Sequence, residues 1–150
     1  MNRFSAIHTI GTSNQTIEEF IAVLTHWGIK FIIDVRSLPK SRFIHFNREN
    51  LKSSLSGKGI GYQWMGDILG GFRSGSYDTY TRSEDFKYGL SRLEKLARKT
   101  PSALCCAERS PWDCHRRFIA RELEKKRWSV LHILDKEHLW PYEQKELFSR

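Results

Sequence analysis

The feature that most restricts this chain is an apolar run near its first quarter. Phe31, Ile32, Ile33 and Val35 follow one another with only Asp34 between them. A strand with one wet face alternates apolar and polar residues; a run like this belongs to a strand covered on both faces, as in a parallel sheet. Upstream, residues 5–11 read as a strand ending at Gly11. Thr16 and Glu19 have the spacing of a capping box. Phe20, Val23, Leu24 and Trp27 then recur at helical spacing, which predicts a helix over 17–27 that stops at Gly28. With the apolar strand over 30–36, this makes a strand–helix–strand unit, whose crossover is expected to be right-handed.

The same alternation continues. Asn47 is the expected cap of a helix running to about Gly57, and Ile60 to Trp64 reads as a third strand. Residues 66–76 are rich in Gly and Ser and predict a loop. Thr81 and Glu84 suggest a second capping box, before a helix carrying Phe86, Leu90, Leu93, Leu96 and Ala97. Residues 102–107 read as another buried strand. Ser110, Pro111 and Asp113 then give a helix start, with the helix reaching about Lys126. Trp128 to Leu134 is the last clear strand, and residues 137–150 are expected to add a short helix. Strands alternating with helices predict one α/β domain over 1–150, three-layered and Rossmann-like, with a mainly parallel sheet and helices on both faces. Such sheets bind ligands beyond the carboxyl ends of their strands.

Composition narrows the setting. No apolar run approaches the roughly 20 residues of a membrane helix, and the first 20 residues have no signal-peptide core. The cysteines, Cys105, Cys106 and Cys114, are odd in number and two are adjacent. That is a poor disulfide framework and points to a reducing, cytoplasmic compartment. The net charge of +8 favours nucleic acid or a phosphorylated small molecule as partner, and no membrane.

Two segments converge on the expected ligand edge. In the first, Asp34 and Arg36 alternate onto one side, with Arg42 nearby. A carboxylate in a buried strand needs a partner, so Asp34 holds either loop N–H groups or an arginine. Arg36 and Arg42 could clamp phosphate. The second segment runs from Cys106 through Glu108 to Cys114, His115 and Arg116, at an expected helix N-terminus. Such a terminus favours anions and lowers a thiol pKa. His115 suits proton transfer near neutral pH, and Glu108 is either an acid or base or the partner of Arg109 or Arg116. Cys105 reads as a small core hydrophobe. Trp64, Phe72, Tyr77 and Tyr80 read as loop packing or as base-stacking rings. There is no CxxC or HxxxH pair, so no metal is expected. The Cys-to-Arg spacing of a tyrosine-phosphatase loop fails, and no nucleotide-binding glycine fingerprint occurs, so no cofactor is expected.

Taken in order, these segments resemble the family of domains of unknown function numbered 488. The resemblance is carried by Thr9 to Ser13; by Asp34, Val35 and Arg36 with Pro39, Ser41 and Arg42; by Phe46, Asn47, Leu51 and Leu55; by Gly59, Ile60 and Tyr62; by Leu69 to Gly71; by Cys106 to Glu108; and by Cys114 to Arg116 with Ile119 and Ala120. It spans roughly residues 7–134. Thr12 stands where the family pattern has a histidine, and Met65, Gly66 and Asp67 interrupt the approach to Leu69. The resemblance implies a three-layer α/β fold and one polar site made of Asp34, Arg36, Arg42, Glu108, Cys114, His115 and Arg116. It names no reaction. A weaker similarity, to rhodanese-like sulfurtransferases, would make Cys106 a persulfide carrier, although Ala107 to Pro111 is not the glycine- and arginine-rich cradle of that chemistry.

Three functions follow as expectations. The first is binding of, or action on, nucleic acid or a phosphorylated ligand. Arg36, Arg42 and Arg116 would hold phosphate, Asp34 would orient them, and Glu108 or His115 would move protons. The second is thiol or sulfur-transfer chemistry at Cys106 or Cys114. The third is a non-catalytic interaction module.

Overall fold

A computed structural model describes residues 5–141. Five parallel strands and one antiparallel edge strand form a single sheet in the order β3-β2-β4-β1-β5-β6. The strands are β1 (Ser5–Gly11), β2 (Phe31–Asp34), β3 (Gly61–Trp64), β4 (Ser102–Cys106), β5 (Trp128–Ile133) and β6 (Leu139–Pro141). The helices are α1 (Ile17–His26), α2 (Arg48–Ser56), the short α3 (Gly66–Leu69) and α4 (Tyr77–Tyr80), α5 (Glu84–Lys99) and α6 (Arg116–Lys125). The expected three-layer arrangement is present.

Two apolar cores flank the sheet. On one face Phe20, Val23 and Leu24 of α1 and Leu51 and Leu55 of α2 pack on Ile10, Ile32, Ala103, Cys105 and Ile133. On the other, Phe86, Leu90 and Leu93 of α5 and Ile119, Ala120 and Leu123 of α6 pack on Ile7, Ile33, Leu104, Cys106 and Val130. The pleat thus sends the adjacent Cys105 and Cys106 to opposite cores. Connections after β1 and β2 lead to helices on the first face, and the connection after β4 leads to α6 on the second. Because β4 lies between β2 and β1, the chain parts at the carboxyl end of β4, where a crevice opens in folds of this kind.

Local signals account for most element ends. Thr16 and Glu19 form the full capping box of α1, and Gly28 follows with a left-handed φ of 73°. Several ends differ from expectation. The second strand stops at Asp34, because Arg36 turns back to bind that carboxylate. Asn47 precedes α2, but its side chain accepts the Ser41 N–H instead of capping the helix. Ser83, not Thr81, caps α5, accepting from the Phe86 N–H; Thr81 is held by the Asp78 carbonyl. The expected loop over 66–76 begins with α3. Residues 137–150 are expected to add a short helix; Glu137 and His138 are non-helical, Leu139–Pro141 pairs antiparallel with β5, and residues 142–150 lie outside the described residues.

The largest departure concerns the expected helix from Pro111. Ser110 and Pro111 start only a 3-10 turn over Pro111–Asp113. Cys114 is then extended, with φ −147° and ψ 175°, and α6 begins at Arg116. The break is stabilised by the cysteine itself, whose Sγ accepts the Arg116 backbone N–H at 3.4 Å. Among the described residues no helix is long and apolar enough to cross a membrane.

Candidate functional site

The loop after β2, the loop after β4 and the start of α6 enclose a cleft of about 550 Å3. Its lining includes Arg36, Leu38, Lys40, Gly71, Phe72, Cys106, Glu108, Asp113, Cys114 and His115. A second hollow of about 460 Å3, beyond the ends of β1 and β5, contains none of the candidate residues.

At the floor of the first cleft the Sγ atoms of Cys106 and Cys114 lie 2.9 Å apart. Cys106 ends β4 and is buried at 3% exposure, whereas Cys114 is half-buried. The Arg116 guanidinium lies beside Cys114, its Nε donating to Sγ at 3.3 Å. The environment therefore separates the two thiols. Cys114 is lowered to about 6 by the hydrogen bond from the Cys106 thiol and by Arg116, against the opposing effect of burial. Cys106 is pushed well above the ordinary thiol range by burial and by that same hydrogen bond. The pair shares one proton, and both Arg116 donors face Cys114 Sγ, which favours the thiolate there and the proton on Cys106.

Arg116 is fully buried. Its Nη1 donates to Thr9 Oγ1 at 2.8 Å, and its Nη2 donates to the carbonyls of Glu108 and Arg109. Thr9 Oγ1 is also 2.7 Å from Nδ1 of His132, which is fully buried too. Thr9 Oγ1 accepts from the guanidinium and shares a second hydrogen bond with His132 Nδ1. Burial, followed by the nearby Arg116 charge, lowers the His132 pKa to about 3 and keeps it neutral. A chain of hydrogen bonds thus runs from His132 through Thr9 and Arg116 to the Cys114 sulfur.

Gly11 makes this packing possible. A Cβ there would lie inside the van der Waals envelope of the Glu108 carbonyl, so the loop that holds Arg116 could not cover β1.

The other candidates are placed as follows. Arg36 binds Asp34 bidentately, Nε to Oδ1 at 2.9 Å and Nη2 to Oδ2 at 2.8 Å, with Tyr62 also donating to Oδ2. Asp34 is fully buried and Arg36 nearly so. Burial opposes the Arg36 charge, but the hydrogen-bonded carboxylate outweighs it and raises the pKa above the ordinary arginine value. His115 lines the cleft, with Nε2 2.9 Å from the Val35 carbonyl, and burial lowers its pKa, so it is neutral. A Cβ on Gly71 would come within 2.8 Å of its Nδ1. The Glu108 side chain is exposed at the cleft, and Arg116 binds its carbonyl, not its carboxylate. Arg109 pairs with Asp135. Arg42 is exposed, its guanidinium 5.0 Å from the Phe43 ring centre, and does not line the cleft. Of the aromatic candidates, Trp64, Tyr77 and Tyr80 bind the carbonyls of Arg36, Leu69 and Ile68, while Phe72 is 77% exposed at the cleft rim. Among the described residues no three His, Cys, Asp or Glu side chains are grouped so as to hold a metal ion.

The comparisons with known proteins give one match. A family model described as "Domain of unknown function DUF488" matches residues 16–123. The chain belongs to the DUF488 family. No curated protein and no solved structure matches it. The similarity to rhodanese-like sulfurtransferases has no counterpart in these comparisons. Cys106, its proposed sulfur carrier, is the more deeply buried member of the pair, and burial pushes its thiol up. In this DUF488 chain the residues that sequence reasoning passed over are Thr9, His132, Leu38 and Lys40. The first two are polar groups on adjacent strands, and only their pairing in the β1–β5 ladder, Thr9 opposite His132, reveals the connection to Arg116.

Proposed function

We propose that this DUF488 protein is a thiolate-dependent enzyme with Cys114 as nucleophile. The observation that carries the proposal is the double contact of Arg116 with Cys114 Sγ, through its backbone N–H and its Nε. A thiolate is the reactive form of cysteine, and a buried guanidinium fixed beside sulfur favours that form. The fixed cation is ready before any substrate arrives, so little reorganisation is needed at the moment of attack. Lys40 lines the same cleft and supplies an exposed positive charge, while Leu38 and Phe72 give it apolar lips. His115, neutral and tied to Val35, acts in this reading as a wall of the cleft, and Glu108 stands exposed at its edge.

The net charge of +8 supports a nucleic-acid or phosphorylated partner, but the three arginines give that reading little geometric support. Arg36 is engaged by Asp34, Arg116 is buried beneath the thiolate, and Arg42 points elsewhere.

The test is alkylation by iodoacetamide across a pH series, with the modified residue located by peptide mass mapping. Cys114 is expected to react first, with half-maximal rate near pH 6, where its thiolate forms. A midpoint at the ordinary thiol value of about 8.5, or preferential labelling of another cysteine, refutes the proposal.

A further inference from the structure

We propose that Cys106 and Cys114 form a redox-active dithiol and that the electrophile they serve is a disulfide sulfur. This rests on Cys114 being the nucleophile, and adds its partner thiol and its substrate class. Three observations carry it. The sulfurs are 2.9 Å apart, and a disulfide bond is about 2.05 Å long, so closure requires only a small approach. Cys114 is extended between a 3-10 turn and α6, and so belongs to a joint between elements, not to a rigid helical turn. The two thiols are also unequal in the way exchange requires: Cys114 is partly exposed in the cleft and takes both Arg116 donors, while Cys106 is buried behind it.

The steps balance. The Cys114 thiolate attacks one sulfur of the substrate disulfide. That S–S bond breaks, and the departing sulfur leaves with the electron pair and takes a proton from solvent. Cys114 is now a neutral mixed disulfide, so the Cys106 proton no longer has a thiolate to bind. Cys106 still faces the charge of Arg116, which favours its ionisation. It gives up its proton and attacks Cys114 Sγ, and the second substrate sulfur leaves as a thiolate that takes the released proton. The protein dithiol is oxidised to a disulfide, the substrate disulfide is reduced to two thiols, and two electrons have moved. An external dithiol reverses the same exchange and restores the starting pair.

The experiment uses the full chain in reduced form and an excess of hydroxyethyl disulfide, read by intact mass and peptide mapping. Wild type is expected to lose two hydrogens and to carry a Cys106–Cys114 link, with no lasting adduct. Cys106→Ser and Cys106→Ala are expected to accumulate the hydroxyethyl adduct on Cys114, and Cys114→Ser to show neither product. A wild-type protein that keeps the adduct on Cys114 and forms no internal bond overturns this inference while leaving Cys114 as nucleophile. A link from Cys114 to Cys105 overturns it in the same way. A wild-type Cys114 that does not react overturns both readings. The two Cys106 variants guard against a folding artefact, because alanine preserves an apolar interior where serine does not.

Discussion

Replacing Thr9 by valine probes the chain of hydrogen bonds beneath Cys114. Valine keeps the branched shape and removes the hydroxyl. Two buried groups then lose their partner: Arg116 Nη1, at 2.8 Å, and His132 Nδ1, at 2.7 Å. A buried polar group left unsatisfied costs about 1–3 kcal/mol, and the added apolar character of valine returns less than about 1 kcal/mol. The expected destabilisation is therefore about 1–6 kcal/mol, measured by denaturant unfolding. The second consequence concerns function. Arg116 loses one of the contacts that hold its guanidinium beside sulfur, and the Cys114 pKa should rise by about one unit, equivalent to about 1.4 kcal/mol. The ultraviolet absorbance of the thiolate, followed against pH, reads this directly. Thr9→Ser keeps the hydroxyl, so its thiolate should titrate as in wild type. If Thr9→Val unfolds more easily while the Cys114 midpoint stays near 6, Thr9 stabilises the core without positioning Arg116 and the reasoning fails. It fails equally if Thr9→Ser titrates like Thr9→Val.

Two further outcomes follow from the same geometry. Asp34→Asn removes the charge that compensates the nearly buried Arg36 and should cost about 3–5 kcal/mol, as read by urea unfolding; a change below about 1 kcal/mol would mean that the pair behaves as a surface salt bridge. Stability should also depend on pH through the thiol pair. The folded pKa of Cys114, about 6, lies below the ordinary thiol value of about 8.5, so its contribution is complete above that value and is lost as pH falls through 6. Cys106 is shifted the other way, so its retained proton lowers stability above the ordinary thiol value. The difference in unfolding free energy between wild type and Cys114→Ser should therefore grow from pH 6 to 9, and a flat difference would contradict the assignment of the proton to Cys106.

Much of the fold was legible because its signals are local or periodic. The apolar run at Phe31 to Val35, interrupted only by Asp34, required a doubly covered strand, and both cores are present on either side of β2. Alternation placed Asp34 and Arg36 on one side, and they meet as a bidentate pair. The site was legible in its members but not in its internal arrangement. Ser110 and Pro111 start a helix by composition, yet nothing local reveals that the Cys114 sulfur will accept an N–H from Arg116 and break the turn. Arg116 reads as a ligand clamp because arginine is usually exposed; its burial depends on acceptors at Thr9, Glu108 and Arg109 that only the folded sheet assembles. Thr9 and His132 are 123 residues apart, a separation at which no spacing rule operates.

The pleat of β4 has a consequence for how the thiols can be joined. Three cysteines within ten consecutive residues allow three intramolecular pairings, two of them wrong. Cys105 points into the core of α1 and α2, fully buried, while Cys106 points toward α6 and Cys114. The sheet therefore acts as a partition between neighbouring sulfurs. In the folded chain this strand geometry keeps the Cys105 sulfur away from both of the other two.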